Sequence, residues 1–514
     1  MRCNICLASL LLVTTLIAPA LVRADVKPAS VFASHMVLQR DLAVPVWGTA
    51  VAGEEVTVAF RDQKKTVTAG VDGKWSVKLD PLTAGGPDVL SISGKNSVSL
   101  EDVLVGEVWV GSGQSNMAGA ASGYAKDDDV LASNIVAGPY PKLRLYKSPG
   151  NAWLEATPKN IEGFSALHFS FGLRLQKELN VPVGLIQGAV GGTPSGMWLS
   201  EGAFLADAAS QELNKEYAQG YDALAKKYEE DVARWKEAAK AAEAKGEKAP
   251  PAPRAPLKPG ETTGGKVGRH YEQFIRPVTT YGIRGVLWDQ GESGTQVGGV
   301  DQCTMMGALI RGWRKDWGQG DFPFLYVQKP SGGGCAWDPG NPITRRAEAF
   351  TPLPTGVPSD GQYIENHIAI MKYSNTGMAT SSDLGSGVHP VNKSGYGHRA
   401  ADVALGMVYG KSIEYLGPVY DKHEVNGANV RVTFKHANGL AWKHGGKLQG
   451  FAIAGEDKVF HWADATIDGK SVVLSSEKVA NPVAVRYAFA SRRPWANLFN
   501  AAGLPALTFR TDSW

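Results

Sequence analysis

The chain is poor in cysteine, in net charge and in long apolar runs, and each shortage removes a class of protein. Only four cysteines occur in 514 residues. Cys3 and Cys6 fall in the first 24 residues without a convincing lipid-attachment context, which leaves Cys303 and Cys335. Two cysteines build neither a disulfide scaffold nor a four-cysteine metal site. They either pair, as an oxidising compartment permits, or stand as two separate thiols. The formal net charge is +3, and removing Arg2 and Arg23 with the leader takes 53 basic residues to 51 against 50 acidic ones. A chain so close to neutrality carries no electrostatic footprint for nucleic acid or an anionic membrane. Beyond residue 24 no stretch is long and apolar enough to span a bilayer.

What is present begins with a leader. Met1–Ala24 carries Arg2, an apolar stretch from Ile5 to Val22 and the ending Val22-Arg23-Ala24, the pattern of a secretory signal removed before Asp25. Export to the periplasm or the medium is expected. The length implies two to four domains. Sixty glycines with 14 tryptophans and 16 tyrosines suit a turn-rich exported protein with aromatic surfaces for sugars.

Residues 25–105 alternate in short runs such as Val44-Pro45-Val46-Trp47 and Val56-Thr57-Val58-Ala59-Phe60, which predicts an N-terminal antiparallel β domain. From Gly106 the period changes. Phe169, Leu173, Leu175 and Leu179 fall near helical spacing, and Val183-Gly184-Leu185-Ile186 reads as a buried parallel strand, so 106–200 is the first part of an α/β domain. Residues 201–261 are rich in Ala, Lys and Glu and then in proline, a charged helical insertion that serves either as a lid or as a solvated surface excursion. The α/β pattern resumes over 262–411 with Ile283–Trp288 and Phe322–Val327 as further strands and a terminal helix from Gly395 to Val408. Residues 412–514 return to short β-like runs, and no internal repeat is found.

The chemistry centres on Gly113-Gln114-Ser115-Asn116-Met117, which follows the apolar run Val108-Trp109-Val110. A strand that breaks at glycine and then presents a serine is how α/β folds expose a nucleophile at the carboxyl edge of a sheet. In isolation the same residues also read as a turn with a helix N-cap. Acyl transfer by serine needs a base, a group that orients it, and donors for the oxyanion. His389, before the terminal helix, is the base candidate among ten histidines. Gly191-Gly192-Thr193 after one strand and Gln290 after another are the donor candidates.

Taken with Met36–Arg40, Gly106–Trp109, Phe164-Ser165-Ala166, Pro182–Ile186, Trp198, Gln290-Gly291-Glu292-Ser293, His389-Pro390 with Lys393, and Asn497–Asp512, these blocks carry a resemblance to a known family. Along nearly the whole mature length the chain resembles the sialate O-acetylesterase family of secreted SGNH hydrolases. The resemblance implies a flavodoxin-like three-layer α/β/α domain with a parallel sheet, flanked by N- and C-terminal β-sandwich-like segments. It implies Ser115 as nucleophile, His389 as general base, and an oxyanion hole of the Ser115 amide, the Gly192 amide (or that of Gly191) and Gln290. It implies no metal or organic cofactor, an acetylated carbohydrate as the partner molecule, and no particular oligomeric state.

The chain departs from that pattern at the third member of the triad. Where many SGNH hydrolases place an aspartate three residues before the histidine, Ser386 stands here, and serine cannot stabilise an imidazolium as a carboxylate does. Glu292, in the block related carbohydrate acetylesterases use, is the favoured replacement. Asp383, six residues before His389, is the second, and a serine–histidine dyad is the third. The expected reaction is removal of acetyl groups from sugars through an acetyl-enzyme. Sialic acid and plant polysaccharide such as xylan or xyloglucan are alternative substrates, and an arginine pocket drawn from Arg144, Arg174, Arg345 or Arg346 would favour the former. A glycan-binding protein that has lost catalysis is the reading from another class. Trp47, Trp198, Trp337 and Trp495 read as packing residues rather than a sugar platform.

Overall fold

The computed structural model describes residues 25–262, 265–290, 293–329, 332–334, 340–344, 348–385 and 387–514. The leader, Glu292, Cys335, Trp337, Arg345, Arg346 and Ser386 lie outside them.

The site is carried by a sheet whose strands are β1 (Ser97–Gly113), β2 (Tyr140–Lys147), β3 (Trp153–Ala156), β4 (Val183–Ala189), β5 (Gly285–Asp289), β6 (Phe324–Val327) and β7 (Thr376–Ala379), in the spatial order β3-β2-β4-β1-β5-β6-β7. All neighbours run parallel except the edge strand β3, which is antiparallel to β2. The principal helices are α1 (Ser115–Ala118), α2 (Ala166–Leu179), α3 (Ala208–Ala244), α4 (Gln302–Trp317) and α5 (Lys393–Met407). Parallel strands are apolar on both faces because helices cover both. Along β1, Trp109 packs with Leu173 of α2 and Leu405 of α5 in one buried cluster. Val108 and Val110 belong to another, with Met305 and Leu309 of α4.

β1 is the strand that joins two architectures. Its first half pairs antiparallel with strand Gly85–Ser93, while Glu107 to Gly113 pair in the parallel sheet. The change of period near Gly106 therefore falls inside a continuous 17-residue strand. The first half of β1 belongs to the N-terminal β layers, whose strands include Val44–Thr49 and Glu55–Phe60. At the C-terminal end two four-stranded sheets share one apolar core that contains Val432, Phe451, Leu474 and Val485.

The Ala- and Lys-rich segment forms α3, a single helix of 37 residues, about 55 Å long, of which only Ser210 is buried. The proline-rich return segment is tied to it where Trp235 Nε1 donates to Pro250 O (2.7 Å) and Tyr217 Oη to Leu257 O (2.8 Å). Among the described residues no helix is long and apolar enough to cross a membrane.

Candidate active site

Three strands end level. Gly113 of β1 is the register partner of Ala189 of β4 and of Asp289 of β5. The segments that follow, 114–117, 190–193 and from 290, therefore leave one edge of the sheet together, which is where open α/β sheets form their crevice. Only glycine suits position 113. Its φ is +123°, and a Cβ there would sit 2.2 Å from the Asp289 carbonyl oxygen. The chain turns at once, with Gln114 N–H donating to that same carbonyl (3.0 Å). The Gln114 side chain accepts from Ser293 Oγ (2.8 Å).

Ser115 is the first residue of α1, and Gln114, not Ser115, occupies the N-cap position. The capping reading of the serine therefore does not apply. Its Oγ lies 2.8 Å from Nε2 of His389, in the loop that precedes α5. Gly191 lies against the serine: a Cβ on it would be 3.5 Å from the Ser115 Cβ. Gly192 adopts φ +75° and faces open space. Among the described residues the backbone N–H groups of Ser115, Gly191 and Gly192 have no protein acceptor. The site thus combines a serine, an imidazole and unengaged amides.

Gln290 differs from expectation. It is buried, and its Nε2 donates to Thr193 O (2.9 Å) and lies 3.5 Å from Gly294 O. With its amide protons spent on these carbonyls, the side chain braces the glycine turn instead of pointing a donor at the serine. Thr193 is held from two more sides: its Oγ1 donates to Val190 O (2.8 Å) and accepts from Trp198 Nε1 (2.9 Å).

Asp383 is not brought to the histidine. Fully buried, its carboxylate takes both arms of Arg399 (3.1 and 2.7 Å) and makes no hydrogen bond with His389. Glu292 lies outside the described residues. Two groups that sequence reasoning quoted without assigning a role sit at the centre of the site. Asn116 Nδ2 donates to Val388 O (3.0 Å), and Lys393 Nζ donates to Asn116 Oδ1 (2.6 Å). Their signal was position alone, next to Ser115 and four residues after His389. Behind them Asp289 and Lys329, both fully buried, form an ion pair at 2.8 Å.

The arginines that can be placed are engaged elsewhere. Arg144 is buried and pairs with Asp102 at 2.7 Å, and Arg174 bonds to Asp402 at 3.3 Å. Trp198 and Trp495 are buried, and Trp47 packs on Phe32 with ring centroids 4.6 Å apart. Cys303 is a buried free thiol. Among the described residues no group of three His, Cys, Asp or Glu is placed to hold a metal ion.

Comparison with known proteins supplies the class. Residues 105–246 match the family described as "Carbohydrate esterase, sialic acid-specific acetylesterase". The sialate O-acetylesterases of Pongo abelii and Homo sapiens are each 27% identical over 446 residues, covering 77% of this chain and 74% of theirs. The crystal structure of a carbohydrate acetylesterase from Xanthomonas citri superposes with a TM-score of 0.74 at 29% identity, covering 95% of this chain and 100% of that one. Fold, site and likeness together define a carboxylic-ester hydrolase of the carbohydrate acetylesterase class. Within that class the chain is similar to the sialate O-acetylesterases, and residues 105–246 match the sialic acid-specific acetylesterase domain.

Proposed function

We propose that the protein removes acetyl groups from O-acetylated sugars by two-step acyl transfer on an SGNH-type, flavodoxin-like domain. The observation that carries the reading is the 2.8 Å contact between His389 Nε2 and Ser115 Oγ beside three unengaged backbone amides. His389 takes the Ser115 proton as Oγ attacks the acetyl carbonyl. The amides of Ser115 and Gly192, with Gly191 alongside, receive the oxyanion, each such donor being worth roughly 3–4 kcal/mol of barrier. The sugar oxygen leaves with the proton from His389. Water, deprotonated by the same imidazole, then hydrolyses the acetyl-enzyme to acetate and frees Ser115. Gln290 supports the hole from behind by holding Thr193. Glu292 is the carboxylate proposed to orient His389: it follows the end of β5, and Asp383 is committed to Arg399.

One observation favours a neutral glycan over sialate. Arg144 and Arg174, two of the four arginines proposed for a sugar carboxylate, are held in structural pairs. Export under the 24-residue leader would meet either substrate outside the cytoplasm.

Acetate release from acetylated sialic acid and from acetylated xylo-oligosaccharide, by wild type and Ser115→Ala, tests the reading. Release from at least one by wild type, lowered by about 10³-fold or more in the variant, is expected. Undiminished release by Ser115→Ala would refute it.

A further inference from the structure

We propose that Lys393 is a positioning residue of this site: through Asn116, one buried ammonium fastens both sides of the Ser115–His389 contact. The inference rests on the reading of Ser115 and His389 as nucleophile and base. Lys393 is the first residue of α5 and is fully buried. On local grounds that is a poor place for a lysine. The positive end of the helix dipole disfavours a cation, and burying an ammonium costs several kcal/mol unless it is well hydrogen-bonded. A lysine ordinarily extends its stem and leaves its charge in water.

Here the ammonium turns inward. Nζ donates to Asn116 Oδ1 (2.6 Å) and to Pro390 O (2.7 Å), and lies over the rings of Tyr124 and Tyr396 at 4.6 and 5.2 Å. Asn116 completes the circuit by donating Nδ2 to Val388 O (3.0 Å). The carbonyls immediately before and after His389 are thus both tied to one network. Its other end is the residue that follows Ser115.

Such fastening is needed because packing cannot supply it. His389 is exposed, as are Gly387 and Val388 before it, and Gly387 is left-handed at φ +77°. An exposed loop held only by its ends samples many geometries, and each misplacement of about 1 Å between base and nucleophile costs about 10²-fold in rate. The helix itself is anchored independently. Asn392 caps Gly395 N (2.9 Å), and Asp128 accepts from Ser394 N (2.8 Å) and Oγ (2.7 Å). The start of α5 is therefore a fixed post, and Lys393 transmits that fixity to the histidine.

The test compares Lys393→Met, Asn116→Asp and the double variant with wild type on p-nitrophenyl acetate, a substrate without a glycan. Asn116→Asp is the informative change, because it keeps an acceptor for the ammonium but loses the donor to Val388 O. Each single variant is expected to lower kcat about 10- to 100-fold with KM within about twofold. The double variant should lose no more than the worse single one, since both act through one chain of bonds. Hydrogen exchange of the amides in 387–392 should accelerate while that of β1 and β5 does not. This measurement reads the anchoring even if wild type hydrolyses no ester, so failure of the proposed mechanism and failure of the anchoring are distinguishable. If Lys393→Met does not fold, Asn116→Asp alone decides. A folded Asn116→Asp that keeps kcat within twofold, or unchanged exchange at 387–392, overturns the proposal.

Discussion

For a serine that follows a strand, the hydroxyl has two common partners: the backbone amides of a helix it caps, or a base brought from elsewhere. In this protein Gln114 takes the cap position and Ser115 Oγ is left for His389. Substitution separates the two carboxylates considered for the third position of the triad. Asp383→Asn strands the Arg399 guanidinium, which is 7% exposed, so a loss of about 3–5 kcal/mol in chemical denaturation is expected. Glu292→Gln should leave the denaturation midpoint in place and lower kcat by about 10²- to 10⁴-fold. Equal stability for both variants would contradict this assignment. Two other histidines contribute to acid sensitivity. His168 and His367 are each pushed down to about 3 from 6.5, by burial, with Lys329 adding to the effect at His367. Between those values the unfolded chain binds a proton that the folded chain refuses. Stability is therefore intact above 6.5 and is lost as pH falls toward 3, by up to about 1.4 kcal/mol per pH unit for each histidine. Neither ring nitrogen of His168 has a hydrogen-bond partner among the described residues, and the ring stacks on Phe164. His168→Phe is accordingly expected to fold as well as wild type at pH 8 and to show a shallower fall of Tm between pH 7 and pH 5.

Elements place these side chains by ending together. β1, β4 and β5 stop at partners Gly113, Ala189 and Asp289, and the three loops beyond them supply the serine, the glycine turn and its brace. Gly113 is the pivot, because any side chain there meets the Asp289 carbonyl and must hold φ at +123°. Gly113→Ala should therefore cost both stability and activity; retention of wild-type Tm and kcat would show that the turn tolerates a second geometry. The strands were legible because their runs are mostly apolar. Val183–Ile186 lies within β4, and Ile283–Trp288 overlaps β5. The helix expected from Gly395 begins instead at Lys393, since the cap is Asn392, and a lysine in a first turn gives no sequence signal for burial.

At the scale of the molecule, a second buried cluster sits where the parallel half of β1 begins. Glu107 is fully buried and accepts from Arg40 (2.5 Å), Arg284 (2.7 Å) and Gln39 (3.2 Å), joining the N-terminal β layers to the sheet. Burial alone would raise its pKa, but Arg284 and Arg40 hold it below the ordinary carboxylate value. Glu107→Gln removes that charge about 20 Å along the strand from Ser115. It is expected to lower stability by about 3–5 kcal/mol while kcat at 25 °C stays near wild type. The helical arm should behave oppositely. Replacing residues 222–253 by a short Gly/Ser linker removes little buried surface and should leave Tm within a few degrees. Turnover of acetylated oligosaccharide by that variant decides between lid and surface excursion, since a lid would be felt in kcat and KM together.

By itself the sequence determined the parallel α/β core, the flanking β runs, the exposed helical arm and the blocks in which the serine, histidine and glycine turn stand. Those follow from periodicity and from turn chemistry, which are local. Tertiary structure alone decided which side chains meet. Asp383 finds Arg399 across 16 residues, Gln290 turns to Thr193 across 97, and Lys393 reaches Asn116 across 277. Hydrogen bonds and ion pairs over such distances depend on strand register and helix packing, and no spacing in the chain records them.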